Sequence, residues 1–470
     1  MALQSSTVWE VRTTGNDANG GGFAAGASGS DYSQQDAAQV VYTDLVIGTT
    51  STQITSAANP FTPAHVGNLL NVVGGTGFTP GRYQVSSVAG GVATMDRAVG
   101  TGGSTGGSGS LGGAMATIGG LAVAMVGGNR AFIKGGIYGL TTPVTFTQSG
   151  PATNVPCWLI GYAATRGDVT LRSGNQSARP QIVANAAGIG SLVTFSGNNW
   201  ALQNLIFGAG TNAPNTALEM DGTNVVLVNL RVAGFGQYGI LGYYIFTYFG
   251  CEVTGGLPGS SYGVRAYLQS LLSGCWVHDN NCTGVYLGSA SAVEYCLVAN
   301  NSGAVSDGIF IYPGQAVVRN CVVWKSGRHG VSMGSSPAQT EVLGNILSEN
   351  GGYGLAGTTA SPLPALPPWD GNAFYMNAAG ARSSLDNTAG VNGVTPYINT
   401  RDVTLTADPF VNKAGNDFRL NGTPGGGPAC RAAAPGFPGF GSPSVPYQDM
   451  GALQHADSGG ISKSRLMAGV

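Results

Sequence analysis

Charged side chains are scarce in this chain of 470 residues: they make up 9% of it, and the formal net charge is −2. Globular domains carry about a quarter charged residues, so the surface here must consist largely of Ser, Thr, Asn, Gln and Gly. No basic block indicates nucleic acid binding, and no acidic tail indicates a basic partner. Because Lys, Glu and Arg are also strong helix formers, their scarcity favours an all-β protein.

Three other features are missing. The apolar runs are short and interrupted by glycine, so we expect no membrane-spanning segment. The N-terminus, MALQSSTVWEVRTTG, has no basic region followed by an apolar stretch, so we expect no signal peptide. The seven cysteines include no Cys-x-x-Cys pair, and an odd number in so long a chain argues against a disulfide scaffold. We therefore expect neither a metal site nor a cofactor.

Glycine, in contrast, is abundant at 78 residues, and 43% of the chain is hydrophobic. A short apolar triplet recurs every 21 to 25 residues, and a second series with the pattern x-Gly-apolar runs in phase with it. The triplets begin at Asn204, Asn229, Gly250, Gly274, Tyr295, Asn320 and Gly344. Three short strands per repeat of this length are typical of the coils of a parallel β-helix.

Alternation within each strand assigns the faces of the coils. Cys251, Cys275, Cys296 and Cys321 then form an inward ladder, which continues at Asn345. Stacked residues lie about 4.8 Å apart, longer than the roughly 3.8 Å between Cβ atoms in a disulfide, so we expect free, buried thiols. The segment CWVHDNNC is thus interpreted as a strand and a turn. Its asparagine belongs to a turn column with a structural role: Asn280, Asn301, Ser326 and Asn350.

The stacked coils, the opening TTGNDANGG and the closing DPF…DFRL…DMGALQ resemble the right-handed parallel β-helix family with the pectate-lyase-like fold. The resemblance covers about residues 120–455 and implies the fold but not the chemistry. Residues 36–118 suggest a small β insertion that ends in a Gly/Ser-rich stretch, and this combination looks like structural proteins of tailed phages. We divide the chain into an N-terminal region, 1–118, β-helix coils, 119–357, and C-terminal coils, cap and tail, 358–470.

Apolar residues also point outward. One outward column contains Trp276, Leu297 and Val322, and another contains Tyr286 and Phe310. A subunit interface, a seat for a long loop and a platform for sugar rings are all open interpretations, and protein contact is the commoner one.

Evidence for catalysis is weak in the sequence. The acids of the coils do not fall into one stacked column, as a calcium site of a lyase would need. The best polar pair is Asp307 with His329, in adjacent coils. It is either an acid–base pair or an ordinary surface ion pair.

Our functional hypothesis is a phage structural protein, folded in the host cytoplasm and carried in the virion. We expect a homotrimeric tail spike, fibre or head-surface appendage, in contact with other virion proteins and with a host surface polysaccharide. It would neither bind nucleic acid nor enter a membrane. A polysaccharide lyase or glycoside hydrolase, such as a phage depolymerase, is the first alternative, and a bacterial surface adhesin is the second.

Overall fold

The computed structural model describes residues 3–170, 176–312, 314–334, 340–357, 369–383, 401–431, 433–434 and 449–453. The chain divides into two compact units: unit 1 holds residues 1–183 and 193–206, and unit 2 holds residues 184–192 and 207–470. Both contain short parallel strands that the chain visits in rotation, which confirms the predicted parallel β-helix. None of the helices in the described ranges combines the length and the apolar character needed to cross a bilayer.

Unit 1 starts with strand Thr7–Val11, which pairs antiparallel with Gly22–Ala24 and parallel with Arg130–Lys134. Arg130–Lys134 pairs in turn with Cys157–Tyr162, and that strand pairs with Trp200–Gln203. The other elements are strands Ile137–Leu140 and Val144–Phe146, helix Ile118–Ala124, and the 3-10 turns Tyr32–Gln34, Pro63–His65 and Gln176–Ala178. Strands Gln181–Ala184, Ser191–Phe195 and Ile206–Ala209 fall at the division between the units.

A closed six-stranded barrel lies within the predicted insertion, 36–118. Its strands are Val40–Ile47, Gln53–Thr55, Leu69–Gly74, Gly81–Ala89, Val92–Met95 and Gly107–Leu111. The barrel has its own apolar core, in which the rings of Tyr42 and Phe61 stack 4.9 Å apart. Arg82 joins the barrel to the loop after the first strand, because its guanidinium donates to the carbonyls of Asp17 at 2.6 Å and Gly20 at 3.1 Å.

A buried carboxylate on the first strand organises the charges of unit 1. Glu10 is fully buried, and Arg12 Nε and Arg166 Nε each donate to it at 2.9 Å. Tyr162 also donates its hydroxyl to Glu10. A buried carboxylate is tolerated only when its oxygens are satisfied in this way, so we read the cluster as structural.

Unit 2 contains the regular coils, whose strands form three parallel sheets. Sheet 1 has Val225–Val228, Phe246–Phe249, Leu271–Ser273, Ser291–Glu294, Ala316–Arg319, Thr340–Leu343 and Trp369–Asp370. Sheet 2 has Arg231–Phe235, Glu252–Gly256, Trp276–His278, Leu297–Ala299, Val322–Trp324, Ile346–Ser348, Ala373–Tyr375 and Val403–Thr404. Sheet 3 has Thr216–Met220, Tyr238–Gly242, Tyr262–Leu268, Thr283–Ser289, Ile309–Ile311, Val331–Met333, Tyr353–Ala356 and Gly380–Arg382.

The register follows the sequence columns. In sheet 2, Trp276 pairs with Leu297, and Leu297 pairs with Val322. The inward column of sheet 1 is buried throughout: Leu227, Tyr248, Leu272, Val293, Val318 and Val342. Each coil turns into sheet 2 through a left-handed residue, which suits Asn and Gly. These residues are Asn229, Gly250, Gly274, Tyr295, Asn320 and Gly344.

The predicted cysteine ladder is confirmed. Cys251, Cys275, Cys296 and Cys321 are buried and free. Asn345 takes the next position and donates from Nδ2 to Asn372 Oδ1 at 2.9 Å.

The turn asparagines form a second ladder inside the coils. Asn280 Nδ2 donates to Asn301 Oδ1 at 2.9 Å, and Asn350 Nδ2 donates to Asn377 Oδ1 at 2.8 Å. Asn280 and Asn301 are fully buried, so these side chains satisfy one another and the backbone instead of facing solvent. This supports the structural interpretation of the DNN run in the turn after Trp276.

The described C-terminal segment packs on the outer face of sheet 2. It contains strands Phe410–Asn412 and Asp417–Leu420, the 3-10 turn Lys413–Gly415 and the short helix Gly427–Cys430. Its apolar residues Leu405, Phe410, Phe418, Leu420, Cys430 and Met450 share one core with Val322, Ile346 and Ala373 of sheet 2. The backbone N–H of Gly451 donates to the carbonyl of Gly344 at 2.8 Å, which holds this segment against the coils.

Candidate functional site: an aromatic strip on sheet 3

Aromatic rings follow one another along the outer side of sheet 3. We call this set the aromatic strip: Tyr238, Tyr262, Tyr267, Tyr286, Phe310 and Tyr312. The ring centroids of Tyr238 and Tyr262 are 6.1 Å apart, and those of Tyr262 and Tyr286 are 4.8 Å apart. From Tyr286 the distance is 5.6 Å to Phe310 and 5.7 Å to Tyr312. The strip thus crosses four successive coils.

The register of sheet 3 explains why these rings meet. Tyr238 pairs with Tyr262 in the next coil, and Tyr286 pairs with Phe310. Adjacent strands are about 4.8 Å apart, so equal positions in successive coils place aromatic rings in contact. Tyr286 is 5% exposed at the centre, whereas Tyr312 at the edge is 47% exposed. The strip therefore presents ring surface to solvent while its centre is held by neighbours.

Arg265 lies among these rings. Its guanidinium carbon is 5.1 Å from the ring centroid of Tyr267, 5.3 Å from that of Tyr286 and 5.8 Å from that of Tyr238. Cation–π attraction at such distances holds the guanidinium over the rings. The Arg265 Nε is buried and has no hydrogen-bond acceptor among the described residues. The strip thus combines apolar faces with one positive charge.

Tyr262 and Tyr286 stay protonated at neutral pH. Burial raises the pKa of Tyr262 and of Tyr286, while the nearby Arg265 acts in the opposite direction. Their hydroxyl groups are therefore neutral, and each can donate one hydrogen bond and accept others.

Two carboxylates lie beside the strip in an earlier coil. Glu219 is paired in register with Leu241, and Leu241 is paired with Arg265. Glu219 accepts a hydrogen bond from the hydroxyl of Ser191. Asp221 as a whole is exposed, but partial burial of its carboxyl group, and then the negative charge of Glu219, raise its pKa. A raised pKa favours the protonated form of Asp221 next to the carboxylate of Glu219.

The predicted pair Asp307 and His329 lies in adjacent coils, but the ion-pair partner of Asp307 is Arg328. Arg328 Nε donates to Asp307 Oδ1 at 2.8 Å, and the hydroxyl of Ser332 donates to Oδ2 at 2.5 Å. His329 contacts this carboxylate through its backbone N–H, at 3.1 Å, and not through its ring. The His329 ring accepts at Nδ1 from the Tyr353 N–H at 3.0 Å, and burial lowers its pKa.

The outward residues of sheet 2 have different surroundings. Val322 is 1% exposed, because the C-terminal segment covers it, and Leu297 packs against the same core. A seat for a segment of the chain was one of the open interpretations of this column, and Val322 fits it. Trp276 is half-buried, and its ring stacks 3.7 Å from that of His278. His278 in turn contacts Asp279 at 2.7 Å and Glu252 at 3.3 Å.

No metal centre is evident in this part of the molecule. Across the described ranges, no three His, Cys, Asp or Glu side chains converge as the ligands of an ion would.

Sequence reasoning singled out Tyr286 and Phe310 but missed most of the strip. Tyr238 and Tyr262 were visible as the first letters of the repeated Tyr-Gly-apolar pattern, which served only to mark the repeat. Arg265 stood in the correct outward column between Leu241 and Tyr286. An arginine in an aromatic column, with no acid at the adjacent positions, was the available signal.

One family model and several solved structures match parts of the chain. A family model described as "Right handed beta helix region" matches residues 216–363. A solved structure of pectate lyase Pel9A aligns at 15% identity over 73% of this chain and 92% of its own, with a TM-score of 0.44. An alginate lyase from Paenibacillus sp. str. FPU-7 aligns at 11% identity over 57% of this chain and 92% of its own, with a TM-score of 0.39.

A phage product, Geobacillus virus E2 ORF18, aligns at 13% identity over 54% of this chain and 53% of its own, with a TM-score of 0.29. At these identities and TM-scores, none of the three alignments supports a conclusion about the activity of this chain. No curated protein matches the chain. The family model and the parallel sheets of the coils agree on a right-handed parallel β-helix.

Proposed function

We propose that this chain is a virion protein that attaches a bacteriophage to a polysaccharide of its host, and that the aromatic strip is the binding surface. The observation that carries the proposal is the run of ring contacts from Tyr238 to Phe310, with centroids 4.8 to 6.1 Å apart. Aromatic faces stack on the apolar faces of sugar rings, and tyrosine adds a polar edge that can hydrogen-bond.

The orientation of the strip favours a polymer over a single sugar. Its rings lie in successive coils, so a ligand that contacts all of them extends along the axis of the coils. Each added sugar then meets another ring, and the affinity of an oligosaccharide should increase with its length until the strip is filled.

The virion assignment draws on the chemistry of the chain. Its seven cysteines are all free and buried, which suits folding in a reducing cytoplasm. A rigid stack of coils with few charges suits an assembled part. We also propose that the protein is a homotrimer and that it contacts other virion proteins. Val322 is covered by the chain's own C-terminal segment, so a trimer would have to use other surfaces.

Binding of the full-length protein to a panel of purified capsular and lipopolysaccharide glycans tests this function. Phe310→Ala and Tyr312→Ala should each lower the affinity for the bound glycan by up to about tenfold, because each removes one aromatic face that contributes about 0.5–1.5 kcal/mol. Phe249→Ala is the matched control, since Phe249 is a half-buried outward ring on sheet 1. The proposal is contradicted if only Phe249→Ala lowers the affinity. It is also contradicted if neither Phe310→Ala nor Tyr312→Ala lowers it.

A glycan-cleaving enzyme is the second candidate, and the pair of Glu219 and Asp221 is the observation that favours it. The raised pKa of Asp221 beside Glu219 is what a general acid needs, and glycoside hydrolysis uses two carboxyl groups. Incubation of the bound glycan with the protein, followed by measurement of reducing ends and unsaturated uronate, separates the two functions. The attachment function predicts neither product, whereas the enzyme predicts a product that Asp221→Asn abolishes.

A further inference from the structure

We infer that Arg265 selects polysaccharides that carry a carboxylate, so that the ligand of the aromatic strip is an acidic glycan. This inference rests on the proposed function and adds the chemical class of the ligand. It starts from a charge that has no counter-ion among the described residues.

The described contacts of the Arg265 guanidinium are with aromatic rings. Its guanidinium lies over Tyr238, Tyr267 and Tyr286, and its Nε has no acceptor in the described part of the chain. The other outward arginines of the coils are paired: Arg231 with Glu252, Arg319 with Glu294 and Arg328 with Asp307. Arg265 is thus an exception among them.

The nearest acids on sheet 3 are too far away to serve as partners. Glu219 stands two strands from Arg265, with Leu241 between them in register. Two strand spacings separate the backbones of these two residues by about 10 Å. Asp307 is already held by Arg328.

The geometry of this surface suits an acidic sugar. A half-buried guanidinium keeps a fixed positive charge, and its planar fork matches the two oxygens of a carboxylate. A sugar ring stacked on the half-buried Tyr267 would bring a ring substituent close to Arg265, because the guanidinium lies 5.1 Å from that ring. A neutral glycan would leave the charge without a partner.

The test measures affinity for three oligosaccharides of equal length: hyaluronan, hyaluronan with its carboxyl groups reduced to alcohols, and chondroitin sulfate. The full-length protein should bind hyaluronan about tenfold or more tighter than the reduced form, as expected for a hydrogen bond to a charged group. Arg265→Gln should abolish that preference and leave affinity for the reduced form within about twofold. Arg231→Gln, an outward arginine on sheet 2, should change neither value.

Each outcome decides between the claims. Equal binding of hyaluronan and its reduced form, or a preference that survives Arg265→Gln, overturns the role of Arg265 and leaves the strip as a glycan site. Tighter binding of chondroitin sulfate, lost in Arg265→Gln, replaces the carboxylate with a sulfate and overturns the stated class. Binding of the three probes that Phe310→Ala does not weaken overturns the proposed function itself. Circular dichroism and the urea midpoint confirm that each variant is folded.

Discussion

Arg328 binds both carboxylate oxygens of Asp307, with Nε 2.8 Å from Oδ1 and Nη2 on Oδ2. Asp307 is 1% exposed, whereas the Arg328 side chain is 43% exposed, so a buried carboxylate is paired with a guanidinium that reaches solvent. The hydroxyl of Ser332 and the N–H of His329 complete its hydrogen bonds. A carboxylate satisfied in this way is held in place by its partners and anchors two successive coils.

Asp307→Ala should therefore lower the free energy of unfolding by about 2 kcal/mol, because hydrogen bonds to charged groups contribute about 1.5–3 kcal/mol. The half-buried Arg328 can reach water after the change, which keeps the loss below that of a fully buried pair. Asp221→Ala, an exposed carboxylate on the same side of the chain, should change stability by about 0.5 kcal/mol or less. Urea unfolding curves provide the measurement. An equal effect of the two substitutions would show that the Asp307 contacts are not structural.

Tyr248→Phe should stabilise the protein. The Tyr248 side chain points into the core, and its hydroxyl has no hydrogen-bond partner among the described residues. Removing an unsatisfied buried hydroxyl should raise the free energy of unfolding by about 1 kcal/mol.

Tyr138→Phe serves as the opposite control, because the Tyr138 hydroxyl lies 2.8 Å from the carbonyl of Lys134. The free energy of unfolding of the Tyr138→Phe variant should be about 1 kcal/mol lower than that of the unmodified protein. Thermal unfolding followed by circular dichroism checks both signs. A loss of stability in Tyr248→Phe would mean that the hydroxyl has a partner, such as a bound water.

The cysteine ladder predicts that stability falls at alkaline pH. Burial raises the pKa of the Cys296 thiol well above its ordinary value of 9.0, so the folded state keeps its proton where the unfolded state loses it. The contribution of this group is full below pH 9 and is lost as the pH rises toward the folded pKa. The slope approaches about 1.4 kcal/mol per pH unit for each such thiol.

Urea unfolding at pH 8, 9 and 10 tests this slope. Cys296→Ala should reduce it, and the native protein should react slowly with a thiol reagent until it is unfolded. Rapid modification of all four ladder thiols in the native protein would contradict their burial.

Phe418→Ala should weaken the packing of the C-terminal segment against sheet 2. Phe418 is 1% exposed, and its ring lies 5.5 Å from Trp324 and 5.1 Å from Phe410. Truncating a buried phenylalanine costs about 3–5 kcal/mol. Val411→Ala, whose side chain is 50% exposed in the same segment, should cost about 0.5 kcal/mol or less. The measurement is the urea midpoint of each variant. Similar midpoints would mean that the C-terminal segment does not stabilise the coils.

The sequence predicted the fold closely because a solenoid repeats its local pattern. Once the triplets were aligned, alternation assigned the inward residues, and the pairing of Trp276 with Leu297 and Val322 followed from equal positions in successive coils. The same reasoning identified the thiol ladder. Each of these inferences uses only residues one coil apart, where the sequence spacing fixes the distance.

What the sequence could not supply were contacts between residues far apart in the chain. The apolar column around Val322 allowed a covering loop as one interpretation, but it did not indicate that Phe418 and Met450 would form that cover. For Asp307, the column logic selected the residue at the equal position, His329, whereas the longer side chain of Arg328 reaches back to the carboxylate. The repeat period does not indicate how far a side chain reaches, or which distant segment folds back onto a coil.

The central claim, that the aromatic strip of sheet 3 binds a glycan, is tested most directly by hydroxyl-radical footprinting of the full-length protein with and without the polysaccharide that binds it. Mass spectrometry reports the oxidation of each ring. The account predicts that the polysaccharide protects Tyr267, Phe310 and Tyr312, and leaves Trp276 on sheet 2 and Phe249 on sheet 1 oxidised as before. Protection of Trp276 or Phe249 with an unchanged strip would contradict it.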